Sequence, residues 1–155
     1  MFTNFEIMPV QTKSKIYFFY PAPVNLRKRT VLKEFIESIF KAEGKTLRSL
    51  NYVFCTDEAL LGINRQYLGH DYYTDVITFE LSEKGAPVEG EVYISIDRVR
   101  DNASAQGVAF ITELHRVIFH GALHLCGYKD KSPKEIKSMR EAEERCLAKY
   151  ARLKA

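Results

Sequence analysis

Long apolar runs are missing from this chain. No stretch approaches the ~20 residues that a membrane-spanning helix needs, which excludes a helical membrane protein. The opening residues, MFTNFEIMPVQTK, have neither the basic start nor the apolar centre of a secretory signal, so a cytoplasmic location is expected. Cysteine is scarce as well. Three residues, an odd number with no C-x-x-C pair, fit reduced core thiols rather than a disulfide framework, and Cys126 alone lies near any candidate chemistry. Repeats, low-complexity tracts and linkers are absent, so residues 1–155 are expected to form a single domain. A domain of this length buries about 70% of its unfolded surface. Excess charge is small too: a formal +3 does not by itself identify a nucleic-acid binder.

Where the charge sits is more telling. Arg27, Lys28 and Arg29 form one run, and Lys129, Lys131, Lys134 and Lys137 form another immediately after a histidine-rich segment. Such runs are most often solvated faces, but lysines beside a metal site also suit a phosphate backbone.

Periodicity gives a coarse map. KIYFFY (15–20) reads as a first strand, and apolar pairs at 31/32, 35/36 and 39/40 mark a helix within Leu26 to Glu43, closed by Gly44. Leu50 to Cys55 is a second strand. Thr56 caps a short helix ending at Gly69, with Asp57 and Glu58 in its first turn, where the helix dipole favours acids. The loop HDYYTD leads to a third strand, VITFE, and a turn around Gly85 and Pro87 to a fourth, EVYISI. Asp97 is expected to cap a helix running to Gln106. A further helix, about Ala109 to Cys126, is apolar almost all round and so belongs in the middle of the domain. Ser132-Pro133-Lys134-Glu135 then starts a last helix, expected to end near Tyr150, with an N-cap serine, a proline at N1 and a capping-box glutamate. This order predicts an α+β fold, in which helices pack on a small mixed four-stranded sheet around a buried helix.

The chemistry is concentrated in HGALHLCGYKD, His120 to Asp130. Residues at i and i+4 share one helical face, so His120 and His124 can bind a single metal ion. Gly127 can end the helix and turn the chain so that Asp130 returns as a third ligand. The plain alternative is a chance pair of partly buried histidines, against which the returning acid argues. Three protein ligands with a vacant fourth position describe a catalytic zinc site, whereas structural sites are closed by four. The general base of H-E-x-x-H peptidases is replaced by Gly121, which cannot move a proton. Helical glycine costs about 1 kcal/mol relative to alanine, so a close approach by backbone or substrate is expected there. Glu113 and His115 share the helix. Glu113 falls on the stripe of His120, and His115 lies about 140° round from it. Asp75, Thr74 and His70 border the third strand and are further candidates for the substrate cleft or for proton transfer.

Three blocks together resemble the YbeY family of metal-dependent endoribonucleases. HGALHLCGYKD is similar to the family's HGxLHLxGYDH. Ile63 to Phe79, INRQYLGHDYYTDVITF, resembles LN-x-x-YR…TDVLSF, and Gly90 to Ser95, GEVYIS, resembles GDIVIS. The resemblance implies a compact domain that binds one zinc ion, matures the 3′ end of small-subunit (16S) ribosomal RNA and serves ribosome quality control. Small-subunit ribosomal proteins and an assembly GTPase are the partners it implies, with no role at a membrane. Two departures stand out. Asp130 occupies the position of the third metal histidine, preceded by Lys129 in place of aspartate. Leu68 replaces an arginine thought to contact RNA, for which Arg65 or His70 can substitute. Carboxylate is a legitimate zinc ligand, though a harder one that moves preference toward manganese or magnesium.

The expected activity is single-strand-specific, zinc-dependent RNA cleavage by a zinc-bound water held by His120, His124 and Asp130. Arg65, His70, Lys129 and Lys131 are the expected RNA contacts. Attack on phosphorus and activation of the ribose 2′-OH both remain open. The rivals are a ribosome-assembly binding factor with a structural metal and a zinc peptidase.

Overall fold

The nine elements follow the expected order within residues 14–153, which the computed structural model describes. The opening stretch read for a secretory signal lies outside the described residues. The elements are β1 (Ile16–Phe19), α1 (Arg29–Ala42), β2 (Leu47–Cys55), α2 (Asp57–Leu68), β3 (Val76–Glu80), β4 (Val88–Ser95), α3 (Ile96–Gln106), α4 (Phe110–Leu125) and α5 (Pro133–Leu153). No helix among the described residues is long and apolar enough to cross a membrane.

The strands form one mixed sheet in the order β1-β2-β4-β3, parallel except for β3, which runs antiparallel to β4. Side chains alternate across a strand, so Leu50, Tyr52 and Phe54 of β2 share a face with their partners Gly90, Val92 and Ile94 of β4. That face is covered by the main core, to which α1, α3, α4 and α5 all contribute. On the other face α2 closes a smaller cluster of Cys55, Leu60 and Ile77. All three cysteines are buried and unpaired. Burial pushes their thiols up, to about 12 for Cys126 and about 11 for Cys55 and Cys146, which makes them inert core groups.

Helix α4 is the centre of the domain, with ten of its sixteen residues buried. Its approach to the sheet explains Gly121. A Cβ there would lie 2.7 and 2.9 Å from the two methyl carbons of Val92. Gly90 plays the matching role on β4, beneath the Leu125 methyls. The close approach anticipated at Gly121 is therefore by a strand side chain, not by substrate or backbone. Tyr52 completes the seam, its buried hydroxyl donating to the Ile118 carbonyl at 2.8 Å.

Because Val92 is β-branched and both methyls are in the way, rotation cannot clear the space. Gly121→Ala should therefore lose more by overpacking, ~1–3 kcal/mol, than the ~1 kcal/mol it gains in helix propensity. Urea denaturation of the variant checks this, and an unchanged or higher midpoint would mean that α4 slides freely over β4.

Several boundaries differ from expectation. Helix α1 begins at Arg29 rather than Leu26, because Lys28 adopts a left-handed conformation (φ 51°) at the N-cap. Strand β2 starts at Leu47, β4 starts at Val88, and α5 continues to Leu153. Asp97 is not the cap of α3. Ser95 is, accepting from the Arg98 amide at 3.1 Å, while the Asp97 carboxylate accepts from the Asp57 amide at 3.0 Å and ties α3 to α2. The capping box of α5 forms as read: Glu135 N donates to Ser132 Oγ, and Ser132 N donates to Glu135 Oε1.

Candidate metal centre

Arg116, His120 and His124 stand at i, i+4 and i+8 on one face of α4, stacked along the helix. Beyond Leu125 the chain turns at Gly127, whose φ of 108° suits only glycine, and Tyr128 N bonds back to Leu123 O at 3.1 Å. The Tyr128 hydroxyl donates to Glu43 at 3.1 Å, fixing the turn to the end of α1. Asp130 is thereby brought back over the two histidines.

Hydrogen bonds assign the imidazole protons. His124 Nδ1 lies 2.8 Å from the Tyr128 carbonyl, which can only accept, so the proton is on Nδ1. His120 Nδ1 lies 3.1 Å from Glu143 Oε2. Burial pushes the Glu143 carboxyl up, but its bonds to His120 and Arg116 outweigh this and hold it below the usual range, so it too accepts. Both Nε2 lone pairs then face Asp130 Oδ2, at 3.4 Å from His120 and 3.2 Å from His124. All three candidate ligand atoms lie within 4.8 Å of one another.

With neutral imidazoles, two Nε2 lone pairs and a carboxylate oxygen converge on one point, an arrangement that a cation between them would hold together. For metal–ligand bonds of ~2.0–2.1 Å, the edge of a tetrahedron is about 3.3 Å, close to the two distances to Asp130. The fixed Nδ1 bonds supply the outer support that orients metal-binding histidines. These residues fit a divalent metal ion.

Beneath the histidines lies a charge cluster that the sequence reading missed. The Arg116 guanidinium bonds Glu113 through Nε at 2.6 Å and through Nη2, and bonds Glu143 Oε1 through Nη1 at 2.8 Å. Both carboxylates are only 1% exposed. Arg140 also approaches Glu143 Oε1, at 3.7 Å, so two guanidinium groups face the two buried carboxylates. Glu113 is committed to this pair rather than to a histidine or a water. His115 is buried on another side of α4, stacked on Phe119 and edge-on to Tyr150, as its angle on the helix implied.

A cavity of about 700 Å³ opens beside the three candidate ligands. Of the side chains read from the sequence, His70, Thr74, Asp75 and Lys131 line it together with His120, His124 and Asp130. Arg65 does not; it is ion-paired with Asp71 on the surface. Lys129 and Lys134 face a neighbouring groove of about 410 Å³. Leu68 is on the cavity wall, and Arg116 and Arg140 supply positive charge there. Burial raises the Asp75 carboxyl, although Arg116, 3.9 Å away, pulls it back down.

The family model described as Endoribonuclease YbeY matches residues 23–151. The chain belongs to the YbeY family. Two proteins named Endoribonuclease YbeY illustrate the likeness. That of Cytophaga hutchinsonii is 47% identical over 138 residues, which covers 88% of this chain and 96% of the relative. That of Bacteroides thetaiotaomicron is 49% identical over 121 residues, covering 78% and 88%. A solution structure of a Thermotoga maritima protein aligns with a TM-score of 0.60 at 30% identity, covering 87% of this chain and 88% of that one. YbeY membership bears out the likeness carried by the three sequence blocks, and the α+β architecture agrees with it.

Proposed function

We propose that this chain is a zinc-dependent endoribonuclease that cuts single-stranded RNA, with His120, His124 and Asp130 holding the metal. The observation that supports this most is the convergence of two imidazole lone pairs and one carboxylate oxygen at the wall of an open cavity, in a chain of the YbeY family. Maturation of the small-subunit rRNA 3′ end in the cytoplasm, with small-subunit ribosomal proteins and an assembly GTPase nearby, is the setting we propose for it.

When bound, the metal supplies Lewis-acid polarisation of a phosphoryl oxygen and lowers the pKa of water toward ~7. The chain supplies the rest. Glu143 and the Tyr128 carbonyl hold both imidazoles with Nε2 toward the cavity. Lys131 and Arg140 give the wall positive charge for a phosphate backbone. Asp75 is a carboxyl whose pKa is raised, the direction that suits proton transfer nearer neutral pH. A purely structural metal is disfavoured because Asp130 stays 39% exposed beside a cavity and, among the described residues, three ligands converge rather than four. A peptidase is disfavoured because position 121 packs against Val92, with no room for a catalytic glutamate.

Purified chain supplied with zinc should cleave single-stranded RNA and leave DNA of the same sequence and casein intact. Cleavage should weaken steeply with salt, because lysine–phosphate contacts release counterions. Digestion of casein, or salt-independent cutting, would contradict this reading. End-group analysis of the RNA separates the two routes: a 2′,3′-cyclic phosphate marks activation of the 2′-OH, and a linear phosphate terminus marks direct attack.

The departure at Asp130 has its own test. Asp130→Ala should lose metal, whereas Asp130→His should keep or tighten zinc, because imidazole is the softer donor. Zinc competition with a chelator reads both, and wild-type affinity in Asp130→Ala would move the third ligand elsewhere.

A further inference from the structure

The stretch that joins α2 to β3, part of which lines the cavity, carries several exposed hydrophobic side chains. Of the ten large hydrophobic side chains exposed among the described residues, four fall between positions 67 and 73: Tyr67, Leu68, Tyr72 and Tyr73. Tyr67 is edge-on to Phe79, and Tyr73 lies under the Arg98 guanidinium at 5.3 Å, so both have intramolecular ring or cation partners. Tyr72 differs. It is 56% exposed, it lines the cavity, and its ring is stacked on the His70 imidazole with centroids 5.1 Å apart and planes 19° from parallel.

This pair is held in place. The Tyr72 hydroxyl and His70 Nδ1 are 3.0 Å apart. The Tyr72 carbonyl accepts from Asn64 Nδ2 at 2.8 Å, and Asn64 is buried in α2. His70 N donates to the Asn64 carbonyl at 3.2 Å, and Asp71, the residue between His70 and Tyr72 in sequence, pairs with Arg65 of α2. An exposed aromatic stack fixed at two backbone points presents a flat apolar surface at little entropic cost. Leu68, at the position where the family resemblance expects an RNA-contacting arginine, offers no charge.

From this geometry we infer that Tyr72, backed by His70, is a nucleobase-stacking subsite that holds one unpaired base of the strand entering the cavity. The inference rests on the RNA-cleaving reading above and adds to it the chemistry of the contact. Every base has a π-face, so the subsite selects unpaired nucleotides without selecting sequence, and duplex bases, already stacked, cannot use it. A ring contact also replaces a charged one, so its contribution does not fall with salt.

The test uses the full chain with its metal and a short fluorescent single-stranded RNA, with initial-rate cleavage followed alongside anisotropy. Aromatic stacking is worth ~1–3 kcal/mol per base, so Tyr72→Ala should weaken binding by roughly 5- to 150-fold. The loss should appear mainly in KM. Tyr72→Phe, which keeps the ring, should stay within about twofold of wild type if stacking is the contact. Tyr17→Ala, an exposed tyrosine on β1 at the far edge of the sheet, should change nothing.

An RNA series with a single abasic site at each position in turn adds a decisive arm. At one position the Tyr72→Ala penalty should disappear, because there is no base left to stack. The subsite is overturned if Tyr72→Ala binds like wild type, if Tyr72→Phe is as weak as Tyr72→Ala, or if the penalty persists at every abasic position. It is also overturned if the loss vanishes at high salt. Failure of the enzymatic reading looks different: RNA binds with the Tyr72 dependence described, but no variant nor wild type cuts it.

Discussion

His120→Ala is expected to lose stoichiometric metal and, with it, RNA cleavage by ~10³-fold or more. Lewis-acid stabilisation contributes several kcal/mol, and each 1.36 kcal/mol is a factor of ten in rate. The fold should survive. Helix α4 is packed by Leu114, Val117, Ile118 and Ala122, none of which needs the imidazole, and Glu143 keeps its bonds to Arg116. His124→Ala should behave in the same way. Elemental analysis together with far-ultraviolet circular dichroism separates loss of metal from loss of structure. Full zinc occupancy in His120→Ala would remove the assignment, and unchanged RNA cleavage by the variant would identify a contaminating nuclease.

A second large effect is expected from a residue that binds no metal in this scheme. Arg116→Met leaves Glu113 without its cation and Glu143 with only the more distant Arg140, at 3.7 Å, and both carboxylates are 1% exposed. Removing one partner of a buried ion pair costs ~3–5 kcal/mol, a large share of the ~5–15 kcal/mol that holds a domain folded. Adding Glu113→Gln should recover part of the loss, since it removes one of the stranded charges. Urea denaturation of the single and double variants measures both effects. A loss below ~1 kcal/mol for Arg116→Met would mean that the carboxylates reach water and that the cluster is not sealed as described.

What the sequence discloses and what it hides divide along chain distance. His120, His124 and Asp130 sit within one turn-and-return of chain, so helical spacing and Gly127 suffice to bring them together. Glu143 is twenty-three residues beyond His120, one acid among several on α5, and no local pattern marks it as the carboxylate that aims an imidazole. Arg116 does carry a local signal: it is the one Lys or Arg on α4, at i−4 from the first metal-motif histidine. Gly121 shows the opposite difficulty. Its presence announces a close approach, but only the register of β4 identifies Val92 as the neighbour. Arg65, beside the cavity-lining Asn64 and Leu68, and Lys129, beside Asp130, point elsewhere, because one is paired with Asp71 and the other follows the turn at Gly127 into the adjoining groove.

The dependence of His120 on Glu143 also has a consequence during synthesis. A nascent chain extended as far as Asp130 already has all three candidate ligands, but it lacks the Glu143 carboxylate that holds the first of them. Until α5 has left the exit tunnel and docked against α4, the imidazole lacks that partner and the charge cluster beneath it is incomplete. The centre thus comes into register only once α5 has been made and has docked against α4.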